Sequence, residues 1–291
     1  GDERKPGVRR VGKGRVISGQ PLGEALARVG VEPDVSGAED AMWTHRRAEG
    51  ADWYFVAAHA DRGFAGAPSF RAQGAVELWD PVTGRRAAAT EARAEGGRTR
   101  VALALPTSGS VFVVFRDPRG VGAPAEPPSP AAGRTIAVPG PWTVAFPAGW
   151  DVAPSVRIDA LKSWTELDGS AAAKAFSGTA TYTATFTLDG AASGRRVELD
   201  LGDVEVLASV EVNGTPVGTV WSVPYRLDVS SAVRPGVNTL AVEVTNTWFN
   251  RLAYDAGLPE DQRKTWTIRG PAKGAAAKPA GLLGPVTLCV K

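Results

Sequence analysis

One short stretch of the chain gathers the residue types that recognise sugars. Trp248, Asn250, Arg251 and Asp255 follow one another closely, just after a predicted strand ends. An indole face stacks on the apolar face of a sugar ring, while amide, guanidinium and carboxylate groups bond its hydroxyls. Loops at strand ends often carry such binding groups. We therefore expect this group to touch either carbohydrate or a neighbouring domain, with core packing as the alternative for the indole.

Carboxylates able to cleave a glycosidic bond are harder to identify. Glycoside hydrolysis needs two carboxyl groups flanking the bond, about 5 to 10 Å apart, and sequence does not give that distance. Polar positions of alternating strands, where solvation is the usual state, hold Glu198, Asp200, Glu211 and Glu243. Loop-like sequence, where most carboxylates are also solvated, holds Glu166, Asp168, Asp255, Glu260 and Asp261. We assign no catalytic residue from this pattern.

The two histidines, His45 and His59, are too few and too far apart in sequence to predict a metal cluster. His45 and Arg46 precede a predicted strand and are weaker candidates for a substrate pocket. The alternative, which we favour, is that they form hydrogen bonds at a domain interface. Cys289 lies among apolar residues and is expected to be a buried small side chain. No cofactor or metal is expected in this chain.

Composition excludes several function classes. The chain has 291 residues, 43% of them hydrophobic, which predicts about two domains. The net charge is +2, and the charges are interspersed rather than collected into a basic stripe, which argues against nucleic acid as a partner. No apolar run approaches the ~20 residues of a membrane-spanning helix. The sequence starts at Gly1 without an initiator methionine, so we expect a piece of a longer protein.

The first 116 residues predict a short α/β remnant followed by a small β-sandwich. A strand at 12–17 and an amphipathic helix from Pro21 to Val29 suggest the remnant, assigned to residues 1–45. Short β runs then fill residues 46–116, at Trp53–Ala58, Ala75–Trp79, Arg98–Leu105 and Val111–Phe115. Turn-forming residues separate these runs and indicate antiparallel pairing.

A second, larger β domain is predicted after a composition break. Residues 117–133 are rich in Pro, Gly and Ala and predict an extended linker. In residues 134–291, Val197, Leu199 and Leu201 alternate with charged residues, which is the period-2 pattern of a strand. Asn213–Gly214 supplies the positive φ angles of a tight hairpin turn. Evenly spaced strands of this kind predict a jelly-roll-like sandwich, so the fold class is mostly β with two antiparallel sandwiches.

Several motifs resemble a known enzyme family, and they are most specific after Phe176. In chain order they are FSGTATY at 176–182, LDLGD at 199–203, VEVNG at 210–214, PYRLD at 224–228, VEVTNTWFNRL at 242–252, RKTWT at 263–267 and GLLGPV at 281–286. This order is similar to the galactose-binding-like β-sandwich attached to many glycoside hydrolases. From about Gly12 onward, the chain resembles the C-terminal part of bacterial α-L-rhamnosidases of glycoside hydrolase family 106.

The resemblance implies that this chain is an accessory region acting in the degradation of rhamnose-containing glycans. In that family the catalytic carboxylates and the associated calcium belong to a large N-terminal barrel, and nothing here matches that barrel. The implied partners are carbohydrate and the missing catalytic domain, in a parent that is secreted or periplasmic. Two other readings stay open, an autonomous carbohydrate-binding module and a structural scaffold that supports a catalytic barrel.

Overall fold

The computed structural model describes residues 6–117, 133–192 and 194–291. The chain divides into two compact units, Gly1–Pro127 and Pro128–Lys291. The predicted linker at 117–133 lies almost wholly outside the described residues, so its extended conformation stays a prediction. Each unit is described by itself.

The N-terminal unit consists of short strands and a short helix. Its elements are β1 (Gly7–Val11), β2 (Gly14–Ser18), α1 (Leu22–Arg28), β3 (Val35–Ser36), β4 (Ala41–Ala48), β5 (Ala51–Ala58), β6 (Phe64–Gly66), β7 (Ser69–Phe70), β8 (Ala75–Trp79), β9 (Arg86–Ala88), β10 (Ala92–Glu95), β11 (Arg98–Val101), β12 (Leu103–Leu105) and β13 (Ser110–Arg116). The larger sheets have the strand orders β4-β5-β13-β8-β9 and β10-β11-β7-β3, and β12 pairs with β6.

Aromatic side chains join the two larger sheets of this unit. Tyr54 on β5 and Phe115 on β13 point into the core, where both contact Phe70 of β7 at ring-centre distances of 4.9 and 5.7 Å. Tyr54, Val56 and Ala58 are buried while the residues between them are half-buried, because successive side chains of a strand point to opposite faces. The predicted antiparallel β-sandwich is confirmed here.

Residues 6–48 contain a strand hairpin, the short helix α1 and strands β3 and β4. The predicted strand at 12–17 is part of an antiparallel hairpin in which β1 pairs with β2. Helix α1 forms over Leu22–Arg28, and its apolar residues Leu22 and Leu26 are exposed, as is Val29 directly after it. The predicted boundary after residue 45 falls inside β4, which pairs along its whole length with β5.

The C-terminal unit holds the longer strands. Its elements are β14 (Arg134–Ala137), β15 (Trp142–Ala145), β16 (Ser155–Ile158), α2 (Ala171–Lys174), β17 (Thr179–Leu188), β18 (Val197–Asp200), β19 (Asp203–Glu205), β20 (Leu207–Val212), β21 (Thr215–Val220), β22 (Arg226–Asp228), β23 (Gly236–Thr245), α3 (Phe249–Asp255), β24 (Gly281–Gly284) and β25 (Thr287–Val290), with 3-10 turns at Trp164–Glu166, Gly190–Ala192 and Glu260–Gln262. The main sheets have the orders β16-β15-β17-β23-β20-β21 and β14-β25-β18-β22.

The predicted alternation sets the core of this unit. Leu199 and Leu288 of the smaller sheet belong to one buried cluster with Tyr182 and Leu240 of the larger sheet. Asn213 has φ +53° and joins β20 to β21, as the hairpin pattern predicts. The candidate site is built from three segments between strands, which are the β15–β16 connection, helix α3 and the long connection from α3 to β24.

Candidate functional site

Helix α3 holds most of the residues that the sequence singled out. Strand β23 ends at Thr245. The side-chain amide of the next residue, Asn246, donates to the carbonyl of Phe176 at 3.1 Å and accepts from the N–H of Gly178 at 2.9 Å. These bonds fix the start of the turn that leads into α3. The helix begins directly after Trp248 and buries Asn250, Arg251 and Asp255. Asp255 therefore lies in a buried helical turn and not in the loop that we predicted.

Arg251 and Asp255 form a buried ion pair within the helix. They are one turn apart, each is only 1% exposed, and Nη2 of Arg251 lies 3.0 Å from Oδ1 of Asp255. The other carboxylate oxygen of Asp255 accepts hydrogen bonds from the N–H of Lys264 and from the N–H and hydroxyl of Thr265. Burial alone would raise the pKa of Asp255, but the bonds from Thr265 and the charge of Arg251 outweigh it and lower this pKa.

The guanidinium of Arg251 is held by rings and by a second carboxylate. Its central carbon lies 5.6 Å from the ring centre of Trp150 and 5.3 Å from that of Tyr254. Nη1 lies 3.5 Å from Oδ2 of Asp151. Within the described residues, Nε and Nη1 have no hydrogen-bond partner of good geometry. Arg251 thus holds two acidic side chains, Asp151 and Asp255, from inside the unit.

The side chain of Asn250 forms two hydrogen bonds with the backbone of the long connection before β24. Its amide donates to the carbonyl of Lys278 at 2.8 Å, and its oxygen accepts from the N–H of Lys278, also at 2.8 Å. Three of the four predicted residues are therefore buried, and Trp248 alone of the four is exposed. The predicted constellation is brought together by the structure, but as a buried anchor with one exposed indole.

An open aromatic and charged surface lies beside this anchor. The rings of Trp150 and Trp248 are 5.5 Å apart, and Nζ of Lys264 donates to Oδ2 of Asp151 at 2.9 Å. Asp151 and Lys264 were missed by the sequence analysis, because they lie about a hundred residues apart and no local pattern links them.

His45 lies between two carboxylates in the N-terminal unit. Its ring nitrogens are 3.0 Å from Asp34 and 2.9 Å from Asp52, and its ring stacks on Tyr54 at 4.1 Å. The hydrogen bond from His45 lowers the pKa of Asp34 against desolvation, and Arg71 adds to this lowering. Arg46, the other weak candidate, is exposed and faces the opposite side of the sheet, since neighbouring strand residues alternate.

The remaining acidic candidates have ordinary surroundings. Glu198 pairs with Lys291 at 3.3 Å, Asp200 pairs with Arg226 at 2.7 Å, and Glu211 and Glu243 are exposed. Glu166 caps a 3-10 turn by accepting from the N–H of Ser163. Within residues 6–117, 133–192 and 194–291, no group of three His, Cys, Asp or Glu side chains is placed to hold a metal ion. The same described residues contain no helix long and apolar enough to cross a membrane.

Each unit contains a stretch that matches the model of a known protein family. Residues 2–91 match the family model of glycoside hydrolase family 106, described as alpha-L-rhamnosidase. Residues 167–276 match the glycosyl hydrolase 2 galactose-binding domain-like family.

Both units also match longer proteins. A solved structure of a rhamnosidase from Novosphingobium sp. PP1Y is 37% identical with a TM-score of 0.73, and the match covers 98% of this chain and 27% of that chain. A 130-residue stretch, 44% of this chain, is 47% identical to 11% of a Formosa agariphila protein named "Putative beta-glucuronidase". The chain thus spans about a quarter of the first relative and about a tenth of the second. It resembles a partial region of the family 106 α-L-rhamnosidases and carries a galactose-binding-like domain in its C-terminal unit.

Proposed function

We propose that the chain is the accessory region of an α-L-rhamnosidase-like glycoside hydrolase that degrades rhamnose-containing glycans. The supporting observation is that the similarity to a rhamnosidase extends over both units and not over one alone. The catalytic carboxylates, and any calcium ion, would then belong to another part of the same protein. The proposed partners are that catalytic part and carbohydrate, in a secreted or periplasmic protein.

The buried helix α3 is consistent with a supporting role. Asn250, Arg251 and Asp255 all bond groups of their own unit, so these side chains stabilise the surface rather than form it. A purely structural scaffold would need nothing more. One observation favours a second function, carbohydrate binding by the chain itself. Trp248 remains 48% exposed against the ring of Trp150, and Nζ of Lys264 lies 5.9 Å from the centre of that same Trp150 ring.

The substrate class is tested with the longer protein that contains this chain. Its purified form should release 4-nitrophenol from 4-nitrophenyl α-L-rhamnopyranoside and not from the corresponding β-D-glucuronide. The glucuronide is the informative comparator, because one relative carries a β-glucuronidase name. Hydrolysis of the glucuronide alone would replace the proposed substrate, and hydrolysis of neither would remove the rhamnosidase assignment.

A further inference from the structure

Two tryptophans, Trp150 and Trp248, pack against each other between the core of the C-terminal unit and its surface. The ring of Trp150 packs against buried Phe176 at 6.4 Å, with an angle of 76° between the rings. Trp248 then lies on the outer side of this pair, 5.5 Å from Trp150 and tilted by 54°. Trp150 is half-buried and Trp248 is 48% exposed. Trp150 is thus fixed by the core, and Trp248 exposes its indole ring to solvent.

A hydrogen-bond donor and an acceptor are fixed next to these rings. Nζ of Lys264 lies 5.9 Å from the ring centre of Trp150. It donates to the carbonyl of Gly149 at 2.6 Å and to Oδ2 of Asp151 at 2.9 Å. The side chains of Asp151 and Lys264 are 46% and 38% exposed, so both can still reach a solute. The hydrogen bond from Lys264 lowers the pKa of Asp151, which keeps it an acceptor at neutral pH.

The buried ion pair of α3 holds both of these groups in place. Nη1 of the buried Arg251 lies 3.5 Å from Oδ2 of Asp151. Oδ2 of Asp255 accepts a hydrogen bond from the backbone N–H of Lys264 at 3.1 Å. The two loops that supply Asp151 and Lys264 are therefore tied to one rigid helix. Preorganised polar groups lose less conformational entropy when a ligand binds, which favours binding.

We propose that Trp150, Asp151, Trp248 and Lys264 form a glycan-binding site. A pyranose ring would lie on the exposed indole surface, and two neighbouring hydroxyls would bond the Asp151–Lys264 pair. The carboxylate accepts from one hydroxyl and the ammonium donates to the other, which matches the chemistry of a vicinal diol. The aromatic surface accepts the apolar C–H face of the same ring. This site rests on the second proposed function, carbohydrate binding by the chain itself, and not on the proposed rhamnosidase activity, since binding needs no catalytic group.

The test follows the indole N–H signals of the 291-residue chain in a two-dimensional 1H–15N NMR spectrum, with nine tryptophans present. The probe is methyl α-L-rhamnopyranoside. Its 2,3-O-isopropylidene derivative lacks any vicinal diol and serves as the matched ligand. Trp150→Phe, Trp248→Ala and Trp221→Ala assign three signals by their disappearance, and Trp221 is the control because it is also exposed in the same unit.

We expect the Trp248 signal to shift and saturate with a Kd on the order of 1 mM, while the Trp221 signal stays fixed. Trp248→Ala and Lys264→Met should each weaken binding at least tenfold, read from the Trp150 signal, and Trp221→Ala should leave it unchanged. The blocked derivative should also bind at least tenfold more weakly. Thermal melting of each variant excludes loss of the fold as the cause.

Three outcomes would overturn the site. The first is no saturable shift of the wild-type signals with up to 100 mM probe. The second is equal binding by Lys264→Met and wild type, and the third is equal binding of the blocked and free sugars. Each result is read without an assay of hydrolysis, so a failure here leaves the proposed activity of the longer protein to its own test.

Discussion

Arg251 and Asp255 are full charges that the fold has removed from water, and each depends on the other. A buried pair of this kind adds little net stability compared with apolar residues, but breaking it leaves an uncompensated charge. If Arg251 were removed, Asp255 would keep its hydrogen bonds from Lys264 and Thr265, yet it would lose the positive charge that compensates its own.

Replacement of Arg251 by Ala should therefore lower the free energy of unfolding of the C-terminal unit by about 3–5 kcal/mol. The control is Arg226→Ala, which breaks an ion pair with Asp200 of 2.7 Å in the same unit, but with the arginine half in solvent. An exposed pair contributes about 0–1 kcal/mol. Urea denaturation of both variants measures the difference, and equal losses would contradict a buried role for Arg251.

Two tyrosines, Tyr54 and Tyr182, have phenol groups that the core keeps neutral. Burial raises the pKa of each to about 12. Tyr182 accepts hydrogen bonds from Nε1 of Trp164 and the N–H of Leu282, whereas the hydroxyl of Tyr54 has no hydrogen-bond partner among the described residues.

The raised pKa values predict stability that is complete below about pH 10, the ordinary tyrosine value, and is lost as the pH rises towards about 12. Burial also raises the pKa of Tyr225, so phenolate absorbance should show three of the four tyrosines ionising late. Tyr182→Phe should destabilise by about 1–3 kcal/mol because it leaves two buried donors unpaired, while Tyr54→Phe should be nearly neutral. Ionisation of all four near pH 10 in the folded chain would contradict the burial.

The residue types near Trp248 were predictable, but their exposure was not. A run of Trp, Asn, Arg and Asp is compatible with a loop, and the prediction placed Asp255 in one. The i, i+4 spacing of Arg251 and Asp255 is the local signal for a helical ion pair. Nothing in the sequence links this turn to Asp151 and Lys264, since those contacts depend on tertiary packing.

At the scale of elements, strand β24 starts at a glycine that no other residue can replace without cost. Gly281 has φ +99°, and a Cβ atom there would collide with Tyr182 and Trp164. Gly236 at the start of β23 has φ +90°, and among the described residues no atom outside Gly236 and its two chain neighbours lies within 4 Å of the point that a Cβ atom would occupy. The two glycines share a backbone conformation and differ in the space around them.

Gly236→Ala should therefore cost about 1–2 kcal/mol, from backbone strain alone. Gly281→Ala should cost about 1–3 kcal/mol more, because the methyl group also displaces core side chains. Thermal or urea unfolding of the two variants gives the comparison directly. A loss at Gly281 no larger than that at Gly236 would show that the core around Tyr182 yields to the methyl group.

The two ring nitrogens of His45 connect three segments of the N-terminal unit. His45 is on β4, and it bonds Asp34, just before β3, and Asp52 on β5. The lowered pKa of Asp34 means that its stabilising effect is present above the ordinary value of about 4 and is lost as the pH falls through the lowered folded value. Asp34→Asn should reduce stability at pH 7 and flatten its acid dependence. Parallel acid curves for variant and wild type would exclude this linkage.

Strands were predictable as elements, whereas their partners were not. Period-2 alternation identified β18, because half-buried strands impose it, and short β runs between turn-forming residues identified β5, β8 and β13. The predicted strand Arg98–Leu105 is instead two strands separated by Ala102, since β11 pairs with β10 and β7 while β12 pairs with β6. Pairing of this kind joins residues far apart in sequence and leaves no local pattern.

At the scale of the whole molecule, the proposed accessory role makes a plain prediction. The isolated chain should not hydrolyse an aryl α-L-rhamnoside above the buffer rate, because the acid and base of that reaction are proposed to lie in another part of the protein. The assay uses re-purified chain beside the longer protein as positive control. Turnover that survives purification and disappears on mutation of a carboxylate of this chain would overturn the accessory role.

The exposed apolar side chains between Val8 and Val31 have a practical consequence. Val8, Val11, Val16, Leu22 and Val31 are all about half or more exposed in a segment of hairpin and helix. Exposed apolar side chains promote self-association of a protein in concentrated solution. Preparation of the chain at high concentration should therefore be limited by solubility at this end, and charged substitutions such as Leu22→Lys are the first remedy to try before crystallisation.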